Sequence, residues 1–435
     1  MADVAEIAEP PRTISRASLV IAGFSTIVEW YDFTLYLYFA TVLSRVFFGE
    51  GSASLLATLG SFAIAYLMRP VGAIVFGHIG DRTGRRRMML LSVMLMTLAM
   101  LATALLPTRS LVGPIAGALL LLMRCIMGFS VGGEYTGVVA YLLEGAPAAR
   151  RGLIASLASA ASEIGALLAV GISALTVASL SEADLLSWGW RIPFLFGALL
   201  AGSVWIARGM MEESPDFHRQ RSEGTIPASP LRHTLTHHRA GIARSFAISA
   251  LGSITYYVGI TYVPTFITSV GSLGEAQALW LSTIAAVAVI VVTPLIGAWS
   301  DRVGRKPMLV ALGLLSAVLP ATMFALMAGG SPLNALVGAV VLAGVAGGVS
   351  AVGAVATAEQ FPGEGRLTGL ALGATMATAI FGGLTPYAAQ WLVERTGWAM
   401  APGAMIALVA LCVLPIFVRM KDTAPIAIRT RSASS

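Results

Sequence analysis

A cationic segment occurs twice in this chain, at the same place in each half. It reads GHIGDRTGRRR from Gly77 to Arg87 and GAWSDRVGRK from Gly297 to Lys306. Glycine, aspartate and arginine recur at matching positions, and long apolar runs flank both copies. A segment repeated in this way is typical of an internal duplication. The sequence therefore predicts a fold built from two related halves.

The apolar runs between the charged segments have the length needed to cross a membrane. Hydrophobic residues make up 57% of the chain and charged residues 11%, against about 25% charged residues in soluble domains. About 20 apolar residues cross a bilayer as a helix. Breaks at charged and Gly/Pro-rich segments predict twelve transmembrane helices, over residues 18–43, 54–78, 88–106, 112–141, 153–179, 190–209, 242–268, 276–299, 308–329, 333–357, 368–392 and 398–419. We therefore expect an all-α membrane protein.

The longest hydrophilic interval follows the sixth predicted helix and divides the chain into two sets of six. Parallel six-helix repeats in known transporters pack around a site near the middle of the membrane. The predicted organisation is an N-terminal tail over 1–17, a six-helix bundle over 18–209, a linker over 210–241, a second bundle over 242–419 and a C-terminal tail over 420–435.

Lysines and arginines lie almost entirely on one set of predicted loops and tails. The opposite set carries only Arg45, Arg109, Arg191 and Arg395. Because positively charged loops stay on the cytoplasmic side, both termini and the linker are predicted to be cytoplasmic. The first 18 residues lack the basic and apolar regions of a signal peptide, and we interpret them as a cytoplasmic tail.

Composition and motifs exclude several protein classes. The membrane topology explains the formal charge of +6, so no nucleic-acid partner is expected. Cys125 and Cys412 lie inside apolar runs, which predicts neither a disulfide nor a metal site. His233 and His237 in the linker are interpreted as part of a solvated helix face. We find no Walker, Rossmann or nucleophile-elbow motif, so neither a cofactor nor enzyme activity is predicted.

Ionisable residues inside the predicted helices are confined to the first half of the chain. Each costs about 2.5–3.5 kcal/mol on insertion scales, so each is a functional hypothesis. They are Glu29, Asp32, Arg69, Arg124, Glu134 and Glu163. A rise of about 1.5 Å per residue places all except Glu134 near the middle of the membrane, whereas Glu134 comes out near the cytoplasmic end.

The midplane set contains three acids and two arginines. Glu29 and Asp32 share a helix face, and two close carboxylates cannot both ionise cheaply. One acid lacks a dedicated arginine and is the natural proton carrier. Arg124 suits a carboxylate because its planar fork binds in a bidentate manner. The alternative is a static cluster of buried ion pairs.

Two tyrosines of the seventh predicted helix, Tyr256 and Tyr257, can donate hydrogen bonds to a substrate from the half that lacks intramembrane charges. Tyrosines in membrane helices also serve as interfacial or packing residues. We add Tyr135, Arg69 and Arg124 to the predicted substrate-binding set.

Five motifs carry a resemblance to a known family. They are EWYDFTLYLY at residues 29–38, LMRPVG at 67–72, GFSVGGEYTG at 128–137, WGWRIPF at 188–194 and AIFGGLTP at 379–386. With the repeated cationic segment, they resemble the metabolite:proton symporter family of the major facilitator superfamily. That family includes carriers of α-ketoglutarate, citrate, shikimate, proline and betaine. The resemblance implies the major facilitator fold and proton coupling through Asp32 working with Arg124.

The resemblance also implies a gate on the cytoplasmic face. In facilitators the repeated segment is a latch, and here Glu144 with Arg151 recurs at the same spacing as Glu359 with Arg366. The predicted gate residues are Gly77, Asp81, Arg82, Gly84, Arg85, Glu144, Arg151, Asp301, Arg302, Gly304, Arg305, Glu359 and Arg366. The alternative is that the basic loops only fix the topology.

The sequence thus predicts a proton-coupled secondary symporter in a bacterial cytoplasmic membrane, which imports a di- or tricarboxylate or a related organic anion. We expect a monomer in the lipid bilayer, with protons and the substrate as its partners. A carrier of zwitterionic osmolytes is the alternative, because Glu163 could take an ammonium group and TYYVGITYVP at residues 255–264 looks similar to that branch. Drug efflux, a membrane enzyme and a sensor built on this fold fit the charge cluster less well.

Overall fold

The computed structural model describes residues 15–424 except 51, 133, 226–229, 272 and 363–364. Within these ranges the regular structure is helical and no strand occurs. Nine of the described helices are long and apolar enough to cross a membrane, and Ile115–Val131 is a shorter apolar helix. The predicted all-α membrane fold is confirmed.

We label the helices of the spanning segments α1 to α12. The first half contains α1 (Arg16–Tyr38), α2 (Ser52–Thr83), α3 (Arg85–Ala104), α4 (Ile115–Val131 and Glu134–Gly145), α5 (Arg151–Ser179) and α6 (Arg191–Arg208). Short helices at Pro215–Glu223 and Pro230–His237 follow. The second half contains α7 (Arg239–Tyr256, a π segment Tyr257–Thr261 and Val263–Ser269), α8 (Glu275–Val303), α9 (Arg305–Ala328), α10 (Pro332–Ala358), α11 (Arg366–Leu370, a π segment Ala371–Thr375, Met376–Phe381 and Thr385–Thr396) and α12 (Ala401–Arg419).

The two halves repeat one packing scheme. In the first half α1 packs on α5, α2 on α4 and α3 on α6; in the second half α7 packs on α11, α8 on α10 and α9 on α12. Glycines permit the close approaches, since a Cβ atom at Gly72 of α2 would overlap the carbonyl oxygen of Phe129 in α4. The halves meet where α5 packs on α8 and α2 packs on α11. The result is two pseudo-symmetric six-helix bundles.

Large apolar side chains cover the outside of the molecule. Leu199, Trp280 and Leu333 are 75%, 71% and 69% exposed. Soluble proteins rarely expose so much apolar surface. This surface suits a surrounding of lipid.

The repeated cationic segment is not a loop. Gly77 to Thr83 forms the end of α2, and Arg85 already begins α3. Only Gly84 separates these helices, with a φ of 109°, and Gly304 separates α8 from α9 in the same way with a φ of 114°. The predicted helix ends at residues 78 and 88 were therefore wrong. The helices continue through these charged residues because Asp81 and Arg85 have partners inside the protein, while Arg82 is exposed.

Candidate functional site

A cavity of about 150 Å³ lies between the two halves. From the first half it is lined by Trp30, Tyr66, Arg69, Ser159, Ser162 and Glu163, among others. The second half contributes hydroxyl groups of Ser249, Ser253, Tyr256, Tyr257, Ser350, Thr357, Thr375 and Thr378. In the described part of the chain, Arg69 and Glu163 are its charged lining residues. The cavity can therefore hold a small polar molecule by hydrogen bonds and by one charge of each sign.

Arg69 enters this cavity from α2. Its Nη2 atom lies 3.0 Å from Oε1 of Glu29 on α1, and both side chains are buried. Its guanidinium also lies 5.3 Å from the ring centroid of Phe33 and 5.2 Å from that of Tyr66. Aromatic faces and a carboxylate both stabilise a guanidinium. Arg69 is thus held as a fixed positive group on the cavity wall.

Glu163 enters the cavity from α5. It is only 4% exposed, and Tyr256 of α7 hydrogen-bonds its carboxyl from the other half. Nearby on the same helix, Gly165 packs directly on the backbone of Ile27 in α1, which fixes this part of α5. Among the described residues, Glu163 forms no ion pair. Glu163 is thus a buried acid whose partner in the described part of the chain is a tyrosine hydroxyl group and not a cation.

A second pocket of about 30 Å³ holds the other midplane pair. Nη1 of Arg124 lies 3.0 Å from Oδ2 of Asp32, and its Nη2 donates to Oδ1 of Asp32 at 3.5 Å and to Oγ1 of Thr103 at 3.3 Å. This volume is large enough for a water molecule but much smaller than that of the central cavity. Tyr66 and Arg69 line both cavities and separate them.

The predicted site residues therefore divide into two groups. Arg69, Tyr256, Tyr257 and Glu163 line the central cavity, whereas Arg124 and Asp32 lie in the small pocket behind it. Glu29 approaches the cavity only through its ion pair with Arg69. The side chain of Tyr135 lies outside the described residues. The role of Arg124 as a direct substrate ligand stays a prediction.

Tyr66 is a site residue that the sequence interpretation missed. Its hydroxyl lies 2.6 Å from the hydroxyl of Tyr257, so α2 of the first half is hydrogen-bonded to α7 of the second half inside the protein. Its position could have indicated this role, because Tyr66 lies about one helical turn before Arg69 and on the same face of α2.

Charged residues of the two repeated segments, together with Glu144, Glu359 and Arg366, form a cluster at one end of the molecule, which we call the gate cluster. Arg85 is fully buried and contacts Asp81 at 3.1 Å and Glu144 at 3.3 Å. Arg366, from the other half, contacts the same oxygen of Glu144 at 2.7 Å. In the second half Arg305 contacts Asp301 at 2.8 Å and Glu359 at 3.3 Å.

The two aspartates of the gate cluster join the halves. Asp81 of α2 accepts a hydrogen bond from the backbone N–H of Thr368, at the start of α11, at 2.9 Å. Asp301 of α8 accepts from the backbone N–H groups of Gly152 and Leu153, at the start of α5, at 2.8 and 3.0 Å. A carboxylate is favourable at a helix N-terminus because it meets unpaired N–H groups and the positive end of the helix dipole. Each half therefore caps a helix of the other.

Two further acids of this cluster were not predicted. Glu213 accepts from the backbone N–H of Arg85 at 2.8 Å, and Asp422 accepts from that of Arg305 at 2.9 Å. A Cβ atom at Gly84 would overlap Glu213, and one at Gly304 would overlap Asp422. The sequence interpretation assigned these acids to the linker and the tail. These acids could have been predicted from the first N–H groups of α3 and α9, which have no acceptor within their own helices.

Three predicted gate residues have other surroundings. Arg82 and Arg302 are exposed. Arg151 is half-buried and, as far as the described residues show, makes no ion pair, although its counterpart Arg366 makes two. The gate cluster is therefore less symmetric than the sequence repeat.

Two family models match the chain. One described as Sugar (and other) transporter matches residues 18–229, and one described as Major Facilitator Superfamily matches residues 250–433. The alpha-ketoglutarate permease of Escherichia coli (strain K12) is 34% identical, covering 86% of this chain and 86% of the permease. The citrate-proton symporter of Klebsiella pneumoniae is 31% identical over 88% of this chain and 87% of the symporter. A proline/betaine transporter of Salmonella typhimurium is 30% identical over 94% and 84%.

A solved structure shares the fold. It is the proton:xylose symporter XylE bound to 6-bromo-6-deoxy-D-glucose, with a TM-score of 0.78 and 21% identity over 94% of this chain and 96% of that chain. The chain belongs to the major facilitator superfamily. The relatives transport solutes of the kinds carried by the metabolite:proton symporter family, so the resemblance given by the motifs is confirmed. The protein is a multi-pass membrane transporter and not an enzyme.

Proposed function

We propose that the protein is a proton-coupled symporter that imports a small organic carboxylate by alternating access. The observation that carries this proposal is the charge arrangement of the central cavity. Arg69 supplies a fixed cation, and Glu163 supplies an acid without an ion pair in the described part of the chain. An arginine fork suits a substrate carboxylate. The relatives named as an alpha-ketoglutarate permease and a citrate-proton symporter support this substrate class.

The shared cavity provides the coupling. When Glu163 is ionised, its negative charge opposes an anion beside Arg69 in a space of about 150 Å³. Protonation of Glu163 removes this repulsion. By linkage, a bound anion favours the protonated acid to the same extent. Substrate and proton therefore bind together. Asp32 is the second candidate for the proton, because the family resemblance implies it, although here Arg124 pairs with it.

The gate cluster closes one end of the cavity. The gate cluster lies on the cytoplasmic side, with both termini and the linker. The halves at 18–209 and 242–419 move against each other around the cavity, within a monomer in the bacterial inner membrane. Opening toward the cytoplasm then requires Asp81 to release α11 and Asp301 to release α5.

One observation favours a zwitterionic osmolyte as the second candidate. The rings of Trp30 and Tyr256, whose centroids are 5.4 Å apart, lie beside Glu163 on the same cavity. Aromatic faces and an acid suit a quaternary ammonium group, while Arg69 takes the carboxylate. One lining arginine among the described residues also favours a substrate with a single carboxylate over a di- or tricarboxylate.

Replacing Glu163 with glutamine distinguishes these candidates. The assay is thermal stabilisation of purified protein by a mono-, a di- and a tricarboxylate, proline and betaine, at mildly acidic and mildly alkaline pH, because a ligand of the folded state raises the melting temperature. For a carboxylate substrate, wild type should bind more tightly at acidic pH. Glu163→Gln should bind equally at both pH values, and in vesicles it should exchange substrate without accumulating it.

Betaine or proline binding that is lost in Glu163→Gln would instead establish the osmolyte function. Glu223→Gln, which changes an exposed acid of the linker, is the matched control and should behave as wild type. A variant that keeps the wild-type pH dependence would refute the role of Glu163. Stabilisation by none of these solutes would refute both substrate classes.

A further inference from the structure

Hydroxyl groups on the second-half wall of the central cavity fall into two sets. In the first set the hydroxyl already donates within the protein. Thr357 donates to the carbonyl oxygen of Gly353 at 2.7 Å, and Ser253 donates to Oγ1 of Thr378 at 3.0 Å. Serine and threonine in helices often satisfy their hydroxyl groups locally in this way. The donors of these groups are therefore occupied.

Three hydroxyl groups of the same wall form the second set, which we call the hydroxyl subsite. They belong to Ser249 of α7, Ser350 of α10 and Thr375 of α11, and within the described residues they form no hydrogen bond. Their oxygen atoms are accessible and not sealed inside the protein. Because a hydroxyl group can donate one hydrogen bond and accept two, the subsite offers both kinds of partner to a ligand.

Helix packing brings these three groups together. A Cβ atom at Gly353 of α10 would lie 3.4 Å from Cγ2 of Ile248 in α7, so the two helices touch beside Ser249 and Ser350. α7 also packs on the π segment of α11, which Thr375 ends. Segments of π helix often occur at functional sites. The hydroxyl subsite is therefore one patch to which three helices contribute.

The hydroxyl subsite lies at one depth in the membrane. At about 1.5 Å per residue, Ser249 and Thr375 lie about 15 and 14 Å from the starts of α7 and α11, and Ser350 lies about 12 Å before the end of α10. These three helix ends are beside the gate cluster. A depth of about 12–15 Å is close to the middle of a hydrocarbon core of about 30 Å.

The hydroxyl subsite faces the charged residues across the cavity. Arg69 and Glu163 belong to the first half, and the described lining residues of the second half carry no charge. A charged substrate group at this wall would lack a partner of opposite sign there, which is costly away from water. An apolar group would leave the hydroxyls without hydrogen bonds. The wall therefore suits neutral substrate groups that form hydrogen bonds.

We propose that the hydroxyl subsite binds hydroxyl groups of the substrate while Arg69 holds its carboxylate. This inference rests on the proposed carboxylate transport and names the substrate class as a hydroxylated monocarboxylate. Each substrate hydroxyl can donate to one group of the subsite and accept from another. The single lining arginine among the described residues takes the carboxylate, and the uncharged wall takes the rest of the molecule.

Pairs of acids with and without hydroxyl groups test this class. Glycerate is compared with propionate, gluconate with hexanoate and quinate with cyclohexanecarboxylate, and sorbitol serves as an uncharged polyol. The dissociation constant of each compound is measured by calorimetry on the purified full chain. A net hydrogen bond changes an affinity by about fivefold, so two bonds to the subsite give about 25-fold. In at least one pair, wild type should prefer the hydroxylated acid by about this factor.

Removal of one protein hydroxyl at a time isolates each contact. Ser249→Ala, Ser350→Ala and Thr375→Val should each reduce the preference for the hydroxylated acid about fivefold. Three separate variants keep the test decisive if one of them does not fold. Ser316→Ala and Thr255→Val are the controls, since these buried hydroxyls donate to carbonyl oxygens within α9 and α7 and lie outside the cavity lining.

Equal affinities within every pair would overturn the inference and leave carboxylate transport standing. A preference that the controls lose as strongly as the subsite variants would overturn it as well. Binding of sorbitol in place of the acids would keep the hydroxyl subsite but refute the carboxylate function. Binding of none of these compounds would overturn the inference, and the Glu163 experiment would then decide the proposed function separately.

Discussion

The ion pair of Arg124 and Asp32 gives the sharpest test of how the first bundle is held together. Asp32 is 1% exposed, and Arg124 joins it from α4 at 3.0 and 3.5 Å while also donating to Thr103 of α3. Arg124→Ala leaves the carboxylate buried without its cation, which costs about 3–5 kcal/mol. Arg124→Lys keeps the charge but loses the planar fork, which costs about 1–2 kcal/mol. Both variants should strongly impair uptake.

The assay is a double-mutant cycle on the melting of purified protein, with uptake measured in parallel. Asp32→Asn and Arg124→Leu should each destabilise, whereas the double variant should lose less than the sum, because no uncompensated charge remains. Arg219→Ala is the control, since Arg219 is 60% exposed in its pair with Asp216 and should cost less than about 1 kcal/mol. Additive losses, or single variants that melt as wild type, would refute this reasoning. Normal substrate affinity in Arg124→Lys would exclude a bidentate role for Arg124 in substrate binding.

Two further predictions concern the gate cluster. Gly84→Ala and Gly304→Ala should each impair transport more than Gly224→Ala, because all three glycines have positive φ but only the first two would press a Cβ atom against a half-buried carboxylate, of Glu213 or Asp422. Uptake that falls equally in all three variants would contradict this. Asp81→Asn should open the cavity at the gate cluster more often, since a neutral group caps α11 more weakly. A cysteine at Ser350 in the cavity, in a background with Cys125→Ser and Cys412→Ser, should then react about two- to fivefold faster with an impermeant thiol reagent added on that side. Arg82→Ala is the control and should not change this labelling; equal labelling of the two variants would exclude Asp81 as a gate residue.

Much of the architecture could be predicted from the sequence. The length and apolar composition of the runs predict helices that cross a membrane, because a helix satisfies its own backbone hydrogen bonds there. The repeated segment indicated the duplication. The cost of burying charge pointed to six ionisable residues, of which Arg69 and Glu163 line the central cavity. These are local properties of the chain, so they can be read without knowing its fold.

Only the tertiary structure shows which of the buried ionisable residues share a cavity. Asp32 and Arg124, alike in depth to Glu29 and Arg69, lie in a separate small pocket because Tyr66 stands between them and the cavity. Helix ends at Gly84 and Gly304 depend on carboxylates far away in the sequence, which supply the acceptors that the first turns of α3 and α9 need.

The bond between Tyr66 and Tyr257 depends on how α2 and α7 are placed by the packing of two whole bundles. The sequence by itself determined which groups are costly to bury. Only the tertiary structure determined which partners offset that cost, because depth in the membrane follows from position along a helix, whereas contact follows from the rotation and spacing of helices that are distant in the chain.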